Sequence, residues 1–315
     1  MKKILRLGTR GSPLALVQAK LVRDELLRKV ADLAATHEIE LVPIHTSGDW
    51  RPEQKERTFM EMGGNKGLFT KEIEEALAAG HVDFAVHSMK DVATQGPDGL
   101  EFVAALTRAD PRDAFISSKA STLDGLPSGA VVGTASLRRQ AQILARRPDL
   151  RVTPLRGNVE TRLRKLAAGE ADATILAVAG LERLGFGDRI TSIMDVQTML
   201  PSAAQGVIGV QIRSDDAAMR QLVDAINDLP TSCCIAAERA LLKVLDGSCR
   251  TPVAAYAQTL PNDMLTLDAL VANPDGTGML RLQRQGLMND ATQIGLDLGA
   301  EIKRQMPPSA VCRVS

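Results

Sequence analysis

An internal repeat is the feature of this chain that most restricts its fold. Residues 77–83 and 166–172 are identical at five of seven positions, and a short apolar run follows each segment. Residues 7–12 and 132–136 form a second, weaker pair that precedes these segments in the same order. Because each repeated strand–helix unit needs its own buried sheet face, the repeat predicts two similar α/β domains. Coincidence between common α/β turns is the alternative, and the shared order disfavours it.

The start of the first copy reads as a strand followed by a helix. Residues 4–7 form the apolar strand pattern, and a Gly-containing turn follows them. Ser12 is a good N-cap and Pro13 suits the first helical position. A later helix is predicted at 68–79 and should end at Gly80, because glycine favours the conformation that terminates helices.

A polar cluster comes directly after the apolar run 82–86. It contains His87, Ser88, Lys90 and Asp91, and a breaker-rich loop follows. Ligands bind at the carboxyl ends of strands in open α/β sheets, so the cluster is a candidate acid/base and anion-binding site. The alternative interpretation is a solvated strand end with ordinary surface charges, and these residues alone do not decide between the two.

The segment 47–66 is long, charged and rich in glycine and proline, without apolar periodicity. Loops of this length are usually functional or disordered. We therefore predict a mobile lid over the cleft near Asp91.

Arginines cluster at predicted helix starts in both copies. Arg10 precedes the first helix, Arg138 and Arg139 open a helix of the second copy, and Arg156 and Arg162 flank the start of the next. Arginine suits two-pronged binding of carboxylates or phosphates. In a chain of zero net charge, such clustering indicates a focused anion site. Solvated helix-face charges are the alternative.

The region after residue 229 follows a different pattern. Thr231 or Ser232 caps a predicted helix. Residues 264–271 alternate apolar and polar side chains, and a turn leads to a returning run at 279–282, which predicts an antiparallel sheet. A final helix is predicted at 291–304. These features indicate a small α+β domain.

Cys249 lies in a short Gly/Ser-containing loop. A free cysteine is usually a small buried hydrophobe. Beside Arg250, however, the thiol could be exposed and easily ionised, hence reactive. The residues alone leave both readings open.

Composition narrows the classes of function. The chain has 38 basic and 38 acidic residues, and only 3% of its residues are aromatic. Nucleic-acid proteins usually show a basic excess or stacking aromatics, and neither is present. Charges at Lys2 and Lys3 argue against a signal peptide, and no apolar run is long enough to span a bilayer. The cysteines show no metal spacing, so we expect a cytoplasmic protein with no metal and no nucleic-acid or membrane partner.

Several motifs, in order along the chain, resemble those of the hydroxymethylbilane synthase family, also called porphobilinogen deaminases. They are residues 9–16 (TRGSPLAL), 66–71 (KGLFTK), 87–92 (HSMKDV), 133–139 (GTASLRR), 155–159 (LRGNV), 161–163 (TRL) and 238–240 (ERA). Cys249 also falls at its expected place. The match is specific as far as about residue 252, whereas residues after about 260 add little.

The resemblance implies a three-domain enzyme. Domain 1, residues 1–105 with 201–226, would be catalytic and carry the lid. Domain 2, residues 106–200, would bind cofactor and substrate carboxylates, and domain 3, residues 227–315, would carry Cys249. Domains 1 and 2 would resemble periplasmic binding proteins around a cleft. Domain 3 would be α+β with a three-stranded antiparallel sheet.

The resemblance also implies the reaction. Four porphobilinogen molecules would be joined head to tail with release of ammonia, and water would then free hydroxymethylbilane, a step of tetrapyrrole (haem-type) biosynthesis. A dipyrromethane cofactor would be held through a thioether to Cys249. Loss of ammonia leaves an electron-poor azafulvene, so positive charge develops on pyrrole nitrogens. Asp91 would stabilise that charge and relay protons. We further expect a monomer.

The acetate and propionate arms of the rings would be bound by basic and hydroxyl side chains. Besides Cys249, the implied cofactor contacts are Asp91, Lys90, Ser136, Arg138 and Arg139. The implied substrate contacts are Arg10, Ser12, Arg156, Arg162 and Gln205.

The chain departs from the usual family pattern at a few positions. Asn65 lengthens the glycine-rich segment, Ala93 stands for a usual proline, Ala204 for a glycine and Gln211 for a glutamate. None of these removes a group with a chemical role that we can name. The competing hypothesis is a non-enzymatic two-domain anion-binding protein, which the fold alone would allow. The third domain and Cys249 argue against it.

Overall fold

The computed structural model describes residues 2–47, 69–245 and 252–306. Its strands are β1 (Lys3–Arg10), β2 (His37–Ile44), β3 (Phe84–Ser88), β4 (Leu100–Ala105), β5 (Asp113–Ser117), β6 (Val131–Gly133), β7 (Arg151–Thr153), β8 (Ala173–Ala177), β9 (Ser192–Ile193), β10 (Ile208–Arg213), β11 (Val253–Leu260), β12 (Met264–Val271) and β13 (Leu280–Leu287). Its α-helices are α1 (Pro13–Lys29), α2 (Leu33–Thr36), α3 (Lys71–Ala78), α4 (Leu137–Arg146), α5 (Val159–Ala167), α6 (Val178–Arg183), α7 (Ala217–Asp224), α8 (Leu229–Val244) and α9 (Ala291–Gln305).

The chain divides into two compact units. Unit 1 comprises Met1–Ala109 and Gly206–Ser232, and unit 2 comprises Asp110–Gln205 and Cys233–Ser315. Unit 1 holds one five-stranded sheet, whereas unit 2 holds another five-stranded sheet and a three-stranded sheet. In the three-stranded sheet, β12 pairs antiparallel with β11 and β13. The expected fold class, two α/β sheets and a C-terminal antiparallel sheet, is therefore confirmed.

The two five-stranded sheets share one topology. The strand order is β2-β1-β3-β10-β4 in unit 1 and β7-β6-β8-β5-β9 in unit 2. In each sheet the first three strands are parallel and the fourth is antiparallel to the third. In sequence order, that fourth strand is the first strand after the chain crosses from one unit to the other. The prediction of two similar domains is thus confirmed at the level of strand order.

The repeated aspartates do the same work in both units. The backbone N–H of Asp83 donates to the carbonyl of Arg6 (2.8 Å), and its carboxylate accepts from the Arg6 N–H (2.7 Å). Asp172 makes the same two bonds with Val131, at 2.8 and 2.7 Å. Each aspartate therefore aligns the third strand of its sheet, β3 or β8, with the second, β1 or β6, which explains in physical terms why the residue recurs in the repeat.

The repeated glycines end the preceding helices. Gly80 follows α3 with φ +72°, and Gly169 follows α5 with φ +81°. Glycine adopts such left-handed angles without the steric cost that a Cβ would bring. The predicted helix stop at Gly80 is therefore confirmed, and the second copy uses the same device.

The C-terminal elements follow the predicted pattern with one difference. The predicted strand at 264–271 is β12, and the final helix is α9. Helix α8 starts at Leu229, however, so the prediction that Thr231 or Ser232 caps it was wrong. The carboxylate of Asp228 accepts from the Thr231 N–H (3.0 Å), and this earlier acidic side chain takes the capping role.

Each sheet has its own apolar core. In unit 1, Leu7, Phe84 and Val210 pack with residues of α1. In unit 2, Phe115 and Ile143 belong to the core under the five-stranded sheet, whereas α8 and α9 pack on the three-stranded sheet. Among the described residues, no helix is both long and apolar enough to cross a membrane.

Candidate functional site

A pocket in unit 1 lies at the carboxyl ends of β1 and β3. The end of β1 brings Arg10 to it, and the first turn of α1 brings Ser12. The end of β3 and the turn after it bring His87, Ser88 and Asp91. Further lining residues are Leu14, Ala15, Gln18, Phe69, Thr70 and Val86. Apart from Lys90, the predicted strand-end cluster therefore shares one pocket with Arg10 and Ser12 at the start of the first helix.

Helix α1 begins at this pocket as the sequence predicted. Ser12 is the N-cap, its hydroxyl accepts from the Ala15 N–H (3.4 Å), and Pro13 occupies the first helical turn. The N-terminus of a helix carries a partial positive charge and unsatisfied N–H donors. The pocket wall formed by this turn therefore favours carboxylates and other anions.

Arg10 adds a full positive charge to the same wall. Its guanidinium carbon lies 4.4 Å from the centre of the Phe69 ring, a cation–π contact. This contact holds the guanidinium against the ring and so restricts its movement in the pocket. A fixed, planar donor set suits two-pronged carboxylate binding.

Asp91 is held by the packing of its own turn. Met89–Asp91 form a 3-10 turn, the Met89 side chain is buried, and the Met89 N–H donates to the Val207 carbonyl (3.1 Å). A Cβ on Gly209 of β10 would overlap the Met89 sulfur, so the missing side chain makes room for Met89. The strand β10 therefore sets the position of Asp91. Lys90 lies in the same turn but does not line the pocket.

His87 is buried and neutral beneath the polar end of β3. Burial lowers its pKa from 6.5 to about 4, and the nearby Gln211 side chain offsets part of that effect. Its ring meets the Phe102 ring edge-on at 5.5 Å. Among the described residues, its Nε2 has no hydrogen-bond partner. A glutamate at position 211 would favour the charged imidazole more strongly than Gln211 does, so burial is what keeps His87 neutral in this chain.

Gln211 also contacts α3. Its amide nitrogen lies 3.4 Å from a carboxylate oxygen of Glu74, a weak hydrogen bond. Burial raises the pKa of Glu74, while the nearby Gln211 and Thr70 side chains oppose that rise. On the other face of β3, the Ser88 hydroxyl donates to the Gln18 amide oxygen (2.8 Å). These contacts fix the end of β3 from both sides.

Unit 2 contains a second polar cluster, and it is buried. Arg138 and Arg139 open α4 as predicted, but both side chains contact Asp113, which has no exposed surface. The alternative that these two arginines are solvated helix-face charges is therefore wrong. Burial would raise the pKa of Asp113, but the charges of the two arginines outweigh it and hold that pKa well below its usual range.

The remaining predicted contacts in unit 2 flank the two helices. Ser136 caps α4, and its hydroxyl accepts from the Arg139 N–H (3.4 Å). Gln205 is buried, and its amide donates to the Pro111 carbonyl (2.7 Å) and to the Asp113 carboxylate (2.9 Å). Gln205 thus belongs to the buried cluster.

Arg156 and Arg162 lie at the start of α5. Asn158 caps this helix, and its side chain accepts from the Thr161 N–H (2.8 Å). The Nε of Arg162 donates to the Gly157 carbonyl (2.8 Å), whereas Arg156 is exposed. The structure thus places both side chains beside one helix N-terminus, as the sequence predicted.

Comparisons with known proteins support the same family as the motifs. Residues 5–221 match a family model described as "Porphobilinogen deaminase, dipyromethane cofactor binding domain", and residues 232–304 match its C-terminal domain. The chain belongs to the porphobilinogen deaminase family. A porphobilinogen deaminase of Nitrobacter hamburgensis is 50% identical over 299 residues, covering 95% of this chain and 92% of that relative. The chloroplastic one of Oryza sativa is 47% identical, covering 97% of this chain and 85% of that relative.

Solved structures with weaker similarity include a periplasmic substrate-binding protein of an ABC transporter from Coxiella burnetii. It is 15% identical with a TM-score of 0.43, and the match covers 70% of this chain and 91% of that one.

Two parts of the predicted site lie outside the described residues. They are Cys249 and, apart from Ser47, the predicted lid at 47–66. Their roles stay predictions. Among the residues that the structure describes, no group of histidine, cysteine, aspartate and glutamate side chains could hold a metal ion.

Sequence reasoning missed Asp113 altogether. It is an acidic residue that opens an otherwise apolar strand, directly before Ala114, Phe115 and Ile116. A charge at the edge of a buried run is the signal that could have marked it, because ionised side chains are almost never fully buried unless they are paired.

Proposed function

We propose that this chain is a hydroxymethylbilane synthase. It joins four porphobilinogen molecules head to tail, releases ammonia at each addition, and hydrolyses the product to hydroxymethylbilane. The observation that carries the proposal is the unit 1 pocket, where Asp91 lies with Arg10 and the N-terminus of α1. That pocket offers one carboxylate for a developing cation and positive groups for acidic side arms.

Asp91 is the proposed catalytic residue. Release of ammonia from an aminomethylpyrrole makes the pyrrole nitrogen positively charged, and a fixed carboxylate stabilises that charge best when it needs no reorganisation. The anchored turn Met89–Asp91 supplies that fixity. The same carboxylate accepts the proton lost when two rings are joined, and it delivers a proton to the departing amine.

Arg10 and Ser12 are proposed to bind the acetate and propionate groups of the incoming porphobilinogen. A guanidinium stacked on Phe69 and a capped helix start present N–H donors without further ordering. Arg156, Arg162 and Gln205 are proposed as the other substrate contacts. Binding of the carboxylates by Arg10 and Ser12 orients the ring that reacts, which converts a bimolecular step into an effectively unimolecular one.

The dipyrromethane cofactor is proposed to be held through a thioether to Cys249. Arg138, Arg139, Ser136, Lys90 and Asp91 are its proposed non-covalent contacts. The buried cluster of unit 2 fits a carboxylate-bearing group, because two guanidiniums there face only one carboxylate. When bound, the cofactor provides the fixed end to which porphobilinogen units are added.

The proposal also includes a domain division and a cellular context. We propose three domains, with boundaries at 1–105 plus 201–226, 106–200 and 227–315, and a lid at 47–66. The protein would act as a monomer in the cytoplasm, without nucleic-acid or membrane partners. Its zero formal net charge supports the absence of a nucleic-acid partner.

The direct test incubates the purified chain with porphobilinogen. We expect release of ammonia and a product that cyclises to a porphyrin. Intact-mass measurement should also find the chain heavier than its sequence by one two-ring unit that survives thiol reductants, with the extra mass on the Cys249 peptide. Cys249→Ala should remove both the mass and the turnover, whereas the control Cys233→Ala should keep them. An active chain with unmodified Cys249 would overturn the proposed attachment.

A further inference from the structure

Asp113 occupies the centre of the buried cluster in unit 2. Its Oδ2 lies 2.8 Å from Nη2 of Arg138, and its Oδ1 lies 2.7 Å from Nη2 of Arg139. The amide of Gln205 donates to the same Oδ1. Each carboxylate oxygen thus has its own guanidinium, and the amide restrains the carboxylate against rotation.

The far ends of both guanidiniums are bound as well. Nη1 of Arg138 donates to the Leu200 carbonyl (2.7 Å), and Nη1 of Arg139 donates to the Ile175 carbonyl (2.8 Å). Each guanidinium is therefore held between one carboxylate oxygen and one backbone carbonyl. Reorientation of Arg139 would break two hydrogen bonds to buried acceptors, and leaving those acceptors unpaired is costly. Reorientation of Arg138 would break one hydrogen bond, to the Leu200 carbonyl, and the ion pair with Asp113 Oδ2, which has no hydrogen-bond partner among the described residues.

The cluster is not balanced in charge. One carboxylate faces two guanidiniums, and both arginines are more than nine-tenths buried. Within the described part of the chain, the Nε atoms of both arginines are buried without a hydrogen-bond partner. A buried charge without compensation is unfavourable, and so is an unpaired buried donor. An arrangement that served stability alone would be improved by a second acid, whereas an arrangement that receives an anionic ligand must keep one positive charge available.

We propose that Asp113 is a positioning residue for the cofactor site: it holds Arg138 and Arg139 in one arrangement and leaves one positive charge for a cofactor carboxylate. The inference rests on the proposed function, since it assumes that the dipyrromethane binds here. Asp113 itself does not touch the cofactor in this proposal. It acts through the two arginines, and Gln205 fixes Asp113 in turn.

The test measures loading of the full-length chain with the cofactor. The chain is produced in cells that make no porphobilinogen, and the purified protein is then titrated with porphobilinogen. Intact-mass measurement gives the fraction of chain that carries the two-ring unit at each concentration. For Asp113→Asn, which keeps the shape of the side chain but not its charge, we expect the half-loading concentration to rise at least tenfold.

The control is Asp124→Asn. Asp124 forms an ion pair with Arg146 of the same helix α4, but that pair is half exposed. Its loss should leave the half-loading concentration within about twofold of the unchanged chain. A tenfold rise in both variants would attribute the effect to general loss of charge pairs on α4 and would overturn the positioning role.

Folding is measured on the same samples by urea unfolding. If Asp113 has only a structural role, Asp113→Asn lowers the folded fraction and limits the loaded fraction at every porphobilinogen concentration. If Asp113 is a positioning residue, the variant needs more porphobilinogen for half-loading but still reaches a high loaded fraction. If Asp113→Asn does not fold, Asp113→Glu decides: it keeps the charge but moves it by one methylene. A folded Asp113→Glu chain should need more porphobilinogen for half-loading, and an unchanged half-loading concentration would overturn the inference.

The unchanged chain separates this inference from the proposed function. If it gains no two-ring mass and no turnover, the proposed function fails. If it loads and Asp113→Asn loads at the same porphobilinogen concentration, only the role of Asp113 fails.

Discussion

The two five-stranded sheets have the same strand order but differ where the antiparallel strand meets the third strand. In unit 1, Ile208 of β10 lies opposite Ser88 of β3. In unit 2, the equivalent position opposite Ala177 of β8 holds Asp113. Ile208 packs in the apolar core with α1, whereas Asp113 contacts two arginines of α4. The same position in the shared sheet topology thus makes an apolar contact in unit 1 and belongs to an ion cluster in unit 2.

On the opposite face of each sheet the pattern is reversed, with polar residues in unit 1 and apolar residues in unit 2. Unit 1 has His87 and Gln211 on the face towards α3, and unit 2 has Leu176 and Ile116 at the matching positions. Successive residues of a strand point to opposite faces, so a single step along the strand decides which helix a side chain meets. Gln211 lies on the face where α3 supplies Glu74, whereas Asp113 lies on the face where α4 supplies two arginines. This difference separates the proposed chemistry in unit 1 from the proposed cofactor contacts of the two arginines in unit 2.

The largest expected effect tests that division at Asp91. Asp91→Ala should lower turnover by about 10²–10⁴-fold, the usual range for loss of a general acid/base group. The urea midpoint should hardly change, because Asp91 is only partly buried. Asp91→Glu should retain part of the activity. The matched control is Asp98→Ala, an exposed carboxylate seven residues on, which should turn over normally. Near-normal turnover of Asp91→Ala would remove the chemistry from unit 1.

The second prediction compares one arginine from each unit. Arg139→Leu breaks a buried ion pair and should cost about 3–5 kcal/mol of unfolding free energy. Arg10→Leu removes a partly buried cation–π contact and should cost no more than about 1 kcal/mol. Urea unfolding of both variants measures the difference. Equal costs would show that the two arginines are held alike and would break the comparison.

These two variants also show what the sequence could and could not predict. The repeat, the serine caps and the glycine stops are local patterns, so the two sheets and the placement of Arg10, Ser12, Ser136 and Arg138 at helix starts followed from them. The partners of the arginines did not. Asp113 is 25 residues from Arg138 in the chain, and only the pairing of β5 with β8 brings it under α4.

Position 87 shows the same limit. The sequence marked His87 as part of a polar strand end, yet Gln211, whose side chain influences the His87 pKa, comes from a strand more than 120 residues later. Helix α8 gave a smaller error, because several polar residues near its start could act as the cap. Periodicity locates such a helix but does not choose between Asp228 and Thr231.

The third prediction uses pH to separate the units. His87 has a folded pKa of about 4 against 6.5 when unfolded, so the unfolded chain binds its proton first as the pH falls. Stability should therefore drop between about pH 6.5 and 4, by about 3 kcal/mol in total. Asp113 has a lowered folded pKa, so its contribution is present above pH 3.8 and is lost only as the pH falls below that value. The unit 1 effect thus precedes the unit 2 effect.

His87→Leu, which places the unit 2 residue in unit 1, tests the first of these effects. Urea midpoints at pH 7 and 4.5 should differ less in this variant than in the unchanged chain. Glu74, whose pKa is raised, titrates in the opposite sense and is present in both chains, so the comparison cancels it. An identical slope for His87→Leu would mean that His87 titrates normally.

The smallest expected effect concerns Gly209, which matches Ala114 of unit 2 in the strand register. Unit 2 tolerates a methyl group at that position, whereas in unit 1 the buried side chain of Met89 fills the space. Gly209→Ala should therefore push the Met89–Asp91 turn outwards, lower kcat by about tenfold and cost about 1–3 kcal/mol through overpacking. Ala114→Gly is the matched change in unit 2 and should leave kcat unchanged.

Adding Met89→Ala to Gly209→Ala removes the overlap, but it also removes the packing that anchors Asp91. The double variant should therefore regain more stability than kcat. Full recovery of kcat would show that Met89 only occupies space and that another contact positions Asp91.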